Sequence, residues 1–265
     1  MTAGLNVTCP ESWKIAHGAG VELRPAVGFF ELLLDNFLHL EPRDVRAEIG
    51  DVPISIHIMN SGWANRDPRG LADLAARVRD WCASFEVLYV SDHLLVTADE
   101  HGRRLPIVRE IDYADPSVAG RAARWQELLG TTLLLENFAS ESPRGDGQVS
   151  YFRELCEQHG IRILFDASNA LIAEQNGGDR WDLWGEPGVR AFVAAGHVSG
   201  FRPSDLDPAM LVDTHDCPLD ERSRSHVHTM KQQGWLPPTM VVERESVLDA
   251  ASWLADVRWV GELYA

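Results

Sequence analysis

Residues 162–170 read RILFDASNA, an apolar run that stops on a carboxylate, Asp166, with an amide, Asn169, three residues beyond it. A short run of branched and aromatic residues with a polar stop is the mark of a buried strand of a parallel sheet. The same form recurs in both directions: SIHIM (55–59), SDHLL (91–95) and LLLENF (133–138) before it, AAGHVSG (194–200), LVDTHD (211–216) and MVVERE (240–245) after it. The stops are His57, His93, Glu136, Asp166, His197, Asp213 and Glu243, separated by 36, 43, 30, 31, 16 and 30 residues. Most of these gaps fit one strand plus one returning helix. Eight such units, in roughly 250 residues, build a (β/α)8 barrel whose working site lies at the C-terminal strand ends. The 265 residues of this chain predict an α/β fold of that kind, a TIM barrel, as one domain over 1–265.

Eight strands are expected: Gly20–Leu23, Phe30–Leu34, Ile54–Ile58, Val87–Ser91, Thr132–Glu136, Arg162–Asp166, Phe192–His197 and Thr239–Glu243. Between them, LADLAARVRDWCASF and VAGRAARWQELLG repeat apolar residues at three- and four-residue intervals, which predicts helices with one buried stripe. YFRELCEQHG predicts another, stopped by Gly160. Two Gly-, Asp- and Pro-rich segments, SESPRGDGQ (140–148) and EQNGGDRWDLWGEPG (174–188), are expected over the barrel mouth. Trp181 and Trp184 in the second are placed either along a substrate groove or in internal packing.

A net charge of -16 argues against nucleic acid as a partner, because phosphate binding needs concentrated Lys and Arg. No apolar stretch approaches the roughly 20 residues that span a bilayer, and the N-terminus lacks a signal-peptide pattern, so a cytoplasmic protein is expected. Cys9, Cys82, Cys156 and Cys217 form no C-x-x-C pair, which indicates neither a disulfide framework nor a thiolate zinc site.

A lone histidine at a strand end is usually structural. Four histidines, four carboxylates and Asn169 at converging strand ends are different, since burying them together without a cation leaves carboxylates repelling one another. Nine donors exceed the four to six that one transition metal takes, so two or three ions are expected. Imidazole, carboxylate and amide oxygen without thiolate suit iron, manganese or zinc alike. Asp213 and His215, two residues apart, point the same way in extended chain and can share an ion. His17, His39, His101, His159, His226 and His228 do not follow strand ends and are expected to be exposed or structural.

FFELLLDNFLHL, ISIHIMNSGW, LYVSDHLLV, REIDYAD, LLLENFAS, LFDASNA, HVSGF, LVDTHD and VVERE together resemble the DUF692 family of multinuclear non-haem iron oxidases, most closely its methanobactin-biosynthesis branch, MbnB. The resemblance covers nearly the whole chain. It implies a TIM-barrel enzyme with metal ligands at His57, His93, Glu136, Asp166, Asn169, His197, Asp213, His215 and Glu243. It implies two or three iron ions in mixed Fe(II)/Fe(III) valence and dioxygen as co-substrate. The implied substrate is a cysteine of a ribosomally made, methanobactin-type precursor peptide, converted by four-electron oxidation to an oxazolone beside a thioamide. A small leader-recognising partner of the MbnC kind, joined as a heterodimer, is implied as well. Other branches modify cysteine by other net reactions, and a zinc or manganese barrel hydrolase or sugar isomerase is the competing reading of the same ligand set. A non-catalytic metal-binding subunit would need its ions closed off.

Overall fold

In the computed structural model, which describes residues 2–13, 27–99, 101, 103–140, 147–245 and 249–265, eight parallel strands close into a barrel. The chain supplies strands β1 (Thr2–Val7), β2 (Phe29–Leu33), β3 (Ile54–Ile58), β4 (Val87–His93), β5 (Leu95–Ala98), β6 (Arg104–Glu110), β7 (Leu133–Glu136), β8 (Arg162–Asp166), β9 (Val193–Ser199), β10 (Phe201–Pro203), β11 (Leu211–Asp213) and β12 (Thr239–Glu243). Around the barrel the order is β1-β12-β9-β8-β7-β4-β3-β2. The remaining four strands form two antiparallel hairpins, β5 with β6 and β10 with β11.

Seven of the expected strands are present, three with the expected bounds and four displaced by one or two residues at one or both ends. The expected strand Gly20–Leu23 lies outside the described residues. The barrel's remaining strand is Thr2–Val7, whose Gly4 and Asn6 dilute the apolar signal. Gly4 is there for a packing reason: a Cβ on it would stand 2.4 Å from the Phe29 ring of the neighbouring strand.

The period-2 alternation of each strand divides its residues between two cores. Leu133, Leu135, Ile163, Phe165 and Val198 belong to the large core shared with the helices. Leu134, Leu164 and Ala195 form a small separate cluster with Tyr89 packed against it. Each of these three precedes a candidate ligand, Glu136, Asp166 or His197, by two residues. They therefore share a face, and the apolar cluster is a floor below the polar strand ends.

The helices behave as their patterns require. In Pro68–Ser84 the buried residues are Leu71, Leu74, Ala75, Val78 and Trp81, one stripe, and the Asp67 side chain caps the first turn. Gln148–His159 ends at Gly160, whose φ of 67° is a left-handed cap. In the segment 174–188, Asn176 donates to Ser140 O and Leu211 O, and Asp179 accepts from Gly147 N and Val149 N, so its first part meets the other expected mouth loop and the β10–β11 hairpin. Past helix Ala167–Asn176, Trp184 is buried against Phe152 and Phe165, while Trp181 stacks on Trp235. These indoles pack the outer helical layer, so the groove role is excluded for Trp184. The polar residues around them resemble loop composition, while the packing is decided by aromatic rings distant in sequence. Of the other expected mouth loop, 141–146 lie outside the described residues.

Candidate metal centre

Strand register brings the stops to one level. His93 is paired with Glu136, and Asp166 with His197, across adjacent strands. His57 Nε2 and His93 Nε2 lie 3.3 and 3.4 Å from the same oxygen, Glu136 Oε2. The other Glu136 oxygen is 3.7 Å from His197 Nδ1, which is 3.2 Å from Glu243 Oε2. Two sets of donors converge within 4.8 Å: His57, His93 and Glu136, then Glu136, Asp166, His197 and Glu243, so Glu136 is common to both. Asn169 joins them through Nδ2, 3.1 Å from Glu136 Oε1. Asp213 and His215 sit 2.7 Å apart, with His215 Nε2 3.7 Å from Glu243 Oε2. All nine residues expected as ligands thus meet in one cluster at the barrel mouth.

The two irregular gaps in the ligand spacing have structural causes. The 43 residues from His93 to Glu136 include the β5–β6 hairpin as well as helix Pro116–Leu129. The 16 residues from His197 to Asp213 hold no helix; β9 runs into the β10–β11 hairpin, which returns Asp213 and His215 over the mouth. Among the described residues His215 alone, apart from glycine, has a positive φ, 48°. Such a conformation costs on the order of 1 kcal/mol or more and persists only where surroundings impose it. Here its N–H donates to Gly200 O and its carbonyl accepts from Glu245 N, pinning it between the ends of β9 and β12.

The orienting contacts are equally specific. His57 Nδ1 is 2.9 Å from Ser91 Oγ, and His93 Nδ1 is 3.2 Å from Ile58 O, so both rings turn Nε2 inward. Asp166 caps its helix by accepting from Asn169 N with Oδ1, which leaves Oδ2 toward the cluster. Asn137 continues the ladder past the end of β7: its Oδ1 accepts from Asp166 N and its Nδ2 donates to Asp166 O. Two important residues carry no strand-end signal. One is Asn137; the other is Glu31, a mid-strand carboxylate 1% exposed whose Oε1 lies 2.8 Å from His197 Nε2. Only the partner across the barrel gives Glu31 its meaning, and sequence does not display it.

The electrostatics match a site built for cations. Burial, then repulsion from Glu136, Glu243 and Asp213, pushes the Asp166 carboxyl well above the usual range. Burial and the neighbouring His93 and His197 hold His57 well below its ordinary value. For His197 and His215 burial acts downward, yet the adjoining carboxylates prevail and raise both. The decisive observation is which buried atoms lack a hydrogen bond. Among the described residues they include Glu136 Oε2, Asp166 Oδ2, Asn169 Oδ1, both nitrogens of His197, Asp213 Oδ1, His215 Nε2 and Glu243 Oε2. Buried polar atoms are almost always paired, and orphaning each costs about 1–3 kcal/mol. Orphans concentrated on nitrogen and oxygen donors that face one another fit metal ions.

A small cavity bordered by Asn6, Thr8, His57, His93, His215 and Glu243 opens onto these donors. A separate groove of about 990 Å³ runs between Val96 and Arg109 of the β5–β6 hairpin, Phe138 and the start of helix Pro116–Leu129. Cys156 is buried, and Cys9, Cys82 and Cys217 are partly so; all four are free. His226 and His228 lie on helix Glu221–Gln232, away from the mouth.

Solved structures with the same architecture include a xylose isomerase-like TIM barrel from Mycobacterium smegmatis with magnesium (12% identity, TM-score 0.62, covering 100% of this chain and 98% of that one). Endonuclease IV from Thermus thermophilus is another (16% identity, TM-score 0.57, covering 99% and 100%). At these identities the likeness concerns the fold. Among curated proteins, a UPF0276 protein of Chromobacterium violaceum is 29% identical over 206 residues, covering 74% of this chain and 72% of its own length. A UPF0276 protein of Bordetella pertussis is 29% identical over 217 residues, covering 76% and 73%. The model of the RiPP precursor modification enzymes, MbnB/TglH/ChrH, matches residues 12–261. With that match running from before the second barrel strand to the last helix, the chain belongs to the MbnB/TglH/ChrH family of enzymes that modify ribosomally made precursor peptides.

Proposed function

We propose that this chain, acting as a single barrel domain, is an iron-dependent, dioxygen-consuming oxidase of a cysteine in a precursor peptide. The observation that carries the proposal is the set of unpartnered buried donors around Glu136, whose two oxygens face two separate groups of ligands. In this reading His57, His93 and Glu136 hold one ion. Glu136, Asp166, His197 and Glu243 hold a second, and Asn169, Asp213 and His215 complete the second or hold a third. Donors without thiolate leave the ions free to take a sulfur ligand from a substrate. When bound, iron would supply thiolate activation and one-electron chemistry toward dioxygen.

The chain's own contribution is placement. The apolar cluster of Leu134, Leu164 and Ala195 lies below the ligands, so a substrate sulfur would enter through the mouth. Ser91 and Ile58 O hold the His57 and His93 rings with Nε2 inward. The groove along the β5–β6 hairpin, bordered by Val96, Arg109 and Phe138, is the path we assign to an extended peptide. A methanobactin-type product, an oxazolone beside a thioamide, removes four electrons and four protons from the peptide. One dioxygen reduced to two waters balances them. A leader-recognising partner of the MbnC kind, bound as a heterodimer, and a cytoplasmic setting complete the proposal. No helix of the described residues is long and apolar enough to cross a membrane.

The test is reconstitution with the cysteine-bearing peptide encoded beside the gene, together with any small protein encoded there. Expected are oxygen uptake and a peptide mass loss matching four hydrogens. Turnover of the peptide that proceeds equally without oxygen, with water added, would replace the oxidase by a hydrolase.

A further inference from the structure

Of the buried carboxylates at the centre among the described residues, Glu31 alone lies outside both groups of converging donors. It stands in the middle of β2, 1% exposed, and its two oxygens have different surroundings. Oε2 accepts from Ser55 Oγ at 3.0 Å and from Tyr89 OH at 2.7 Å, one donor from β3 and one from β4. Oε1 faces His197 Nε2 at 2.8 Å. β9, which carries His197, is separated from β2 by β1 and β12 in the barrel order, so this contact crosses the barrel interior. A carboxylate this deeply buried is costly unless both oxygens are engaged. Ser55 and Tyr89 engage one and aim the other at the imidazole.

We propose that Glu31 is a positioning residue of the metal centre: it accepts the Nε2 proton of His197, fixing the tautomer that offers Nδ1 to an ion held with Glu136, Asp166 and Glu243. The proposal rests on reading the cluster as a metal site and deepens that reading. His197 Nδ1 is the nitrogen that faces Glu243 Oε2 at 3.2 Å and Glu136 Oε1 at 3.7 Å, while Nε2 faces only Glu31 among these carboxylates. In the ion-free structure Glu31 Oε1 and His197 Nε2 face each other at 2.8 Å and neither has another hydrogen-bond partner, so each is the nearest group able to satisfy the other. A metal-bound imidazole that donates its other N–H to a carboxylate is held in orientation and made a better donor. His57 and His93 have other orienting partners, a serine hydroxyl and a backbone carbonyl, so Glu31 acts on His197 selectively.

The experiment uses Zn(II) as a diamagnetic probe on the full chain, comparing wild type with Glu31→Gln. Binding is titrated against a chelator, and long-range proton–nitrogen correlation spectra identify the coordinating nitrogen of His197. The expected result is Nδ1 coordination in the wild type and a loss of about 10- to 100-fold in the affinity of one ion in Glu31→Gln. The ion at His57, His93 and Glu136 keeps its affinity. If Glu31→Gln does not fold, Tyr89→Phe, which leaves the carboxylate but frees Oε2 from one donor, is expected to weaken the same ion by less than about tenfold. A merely structural Glu31 would move the melting temperature and leave both the coordinating nitrogen and the affinity of the folded protein unchanged, overturning the proposal. Coordination through Nε2, with Glu31 itself a ligand, would also overturn it. A wild type that binds no ion would overturn the metal reading as a whole, whereas wild-type affinity in Glu31→Gln would overturn this inference alone.

Discussion

Replacing Asn137 by alanine tests whether its side chain stands in for the missing end of the β7–β8 ladder. The residue is fully buried, and strand pairing between β7 and β8 stops at Glu136 with Leu164. Beyond that point Asn137 Oδ1 receives Asp166 N at 2.7 Å and Nδ2 gives to Asp166 O at 2.9 Å. Alanine removes both partners and leaves two buried backbone groups to be satisfied elsewhere. Asp166 O lies at the start of a helix and retains other acceptor capacity, so its loss stands at the lower end of the range. At about 1–3 kcal/mol for each orphaned group, the cost is about 2–5 kcal/mol. That is a large part of the roughly 5–15 kcal/mol by which a domain is stable. For a chain of this length it lowers the melting temperature by roughly 5–15 °C. Calorimetry of the chelator-treated protein measures the effect, and the ion-loaded protein should lose ions as well, because Asp166 and Asn169 lose their anchor. Asn137→Asp keeps the acceptor, loses the donor and adds a charge beside Glu136 and Asp166, so it should harm the ion-free protein more than the loaded one. A shift below about 2 °C for Asn137→Ala would refute the argument, since water or relaxation would then be replacing both bonds.

Three further outcomes are expected. Protons on Asp166, His197 and His215, all held above their ordinary ranges in the ion-free protein, must leave before an ion binds, so affinity should rise with pH and binding should release protons. Calorimetry in buffers of different ionisation heat measures this, and affinity falling with pH would contradict it. Gly200→Ala places a Cβ 2.2 Å from Cys217 O, so the segment carrying Asp213 and His215 must shift; a cost of about 1–3 kcal/mol with loss of ion binding is expected from denaturant unfolding and metal analysis. Trp184→Ala should cost about 3–5 kcal/mol by opening the Phe152 and Phe165 contact, with ion affinity of the folded fraction unchanged.

The sequence made the barrel legible where a strand is an apolar run with a polar end, because such runs satisfy both cores and the mouth at once. It was silent at β1, where Gly4 is dictated by the ring of Phe29 and Asn6 by the backbone of Arg244, both contacts with residues far along the chain. Seven of the nine candidate ligands were visible because they sit at strand ends, where polarity breaks an apolar pattern; Asn169 and His215 follow such ends by three and two residues. Glu31 and Asn137 were not, since one lies inside a strand and the other looks like loop composition. Their roles follow from atoms brought within 3 Å by closure of the barrel. For Trp184 the polar neighbourhood left a groove and internal packing equally open, and three-dimensional packing decided for the core.

The proposed multinuclear iron centre at the barrel mouth stands or falls on its metal content. Anaerobic purification followed by quantification of iron, manganese and zinc per chain, with a Mössbauer spectrum of the same sample, tests it most directly. Two or three irons per chain with coupled ferrous and ferric signals are expected, in keeping with the ion count that nine donors imply. Stoichiometric zinc with little iron, persisting after expression in iron-rich medium, would contradict the proposal.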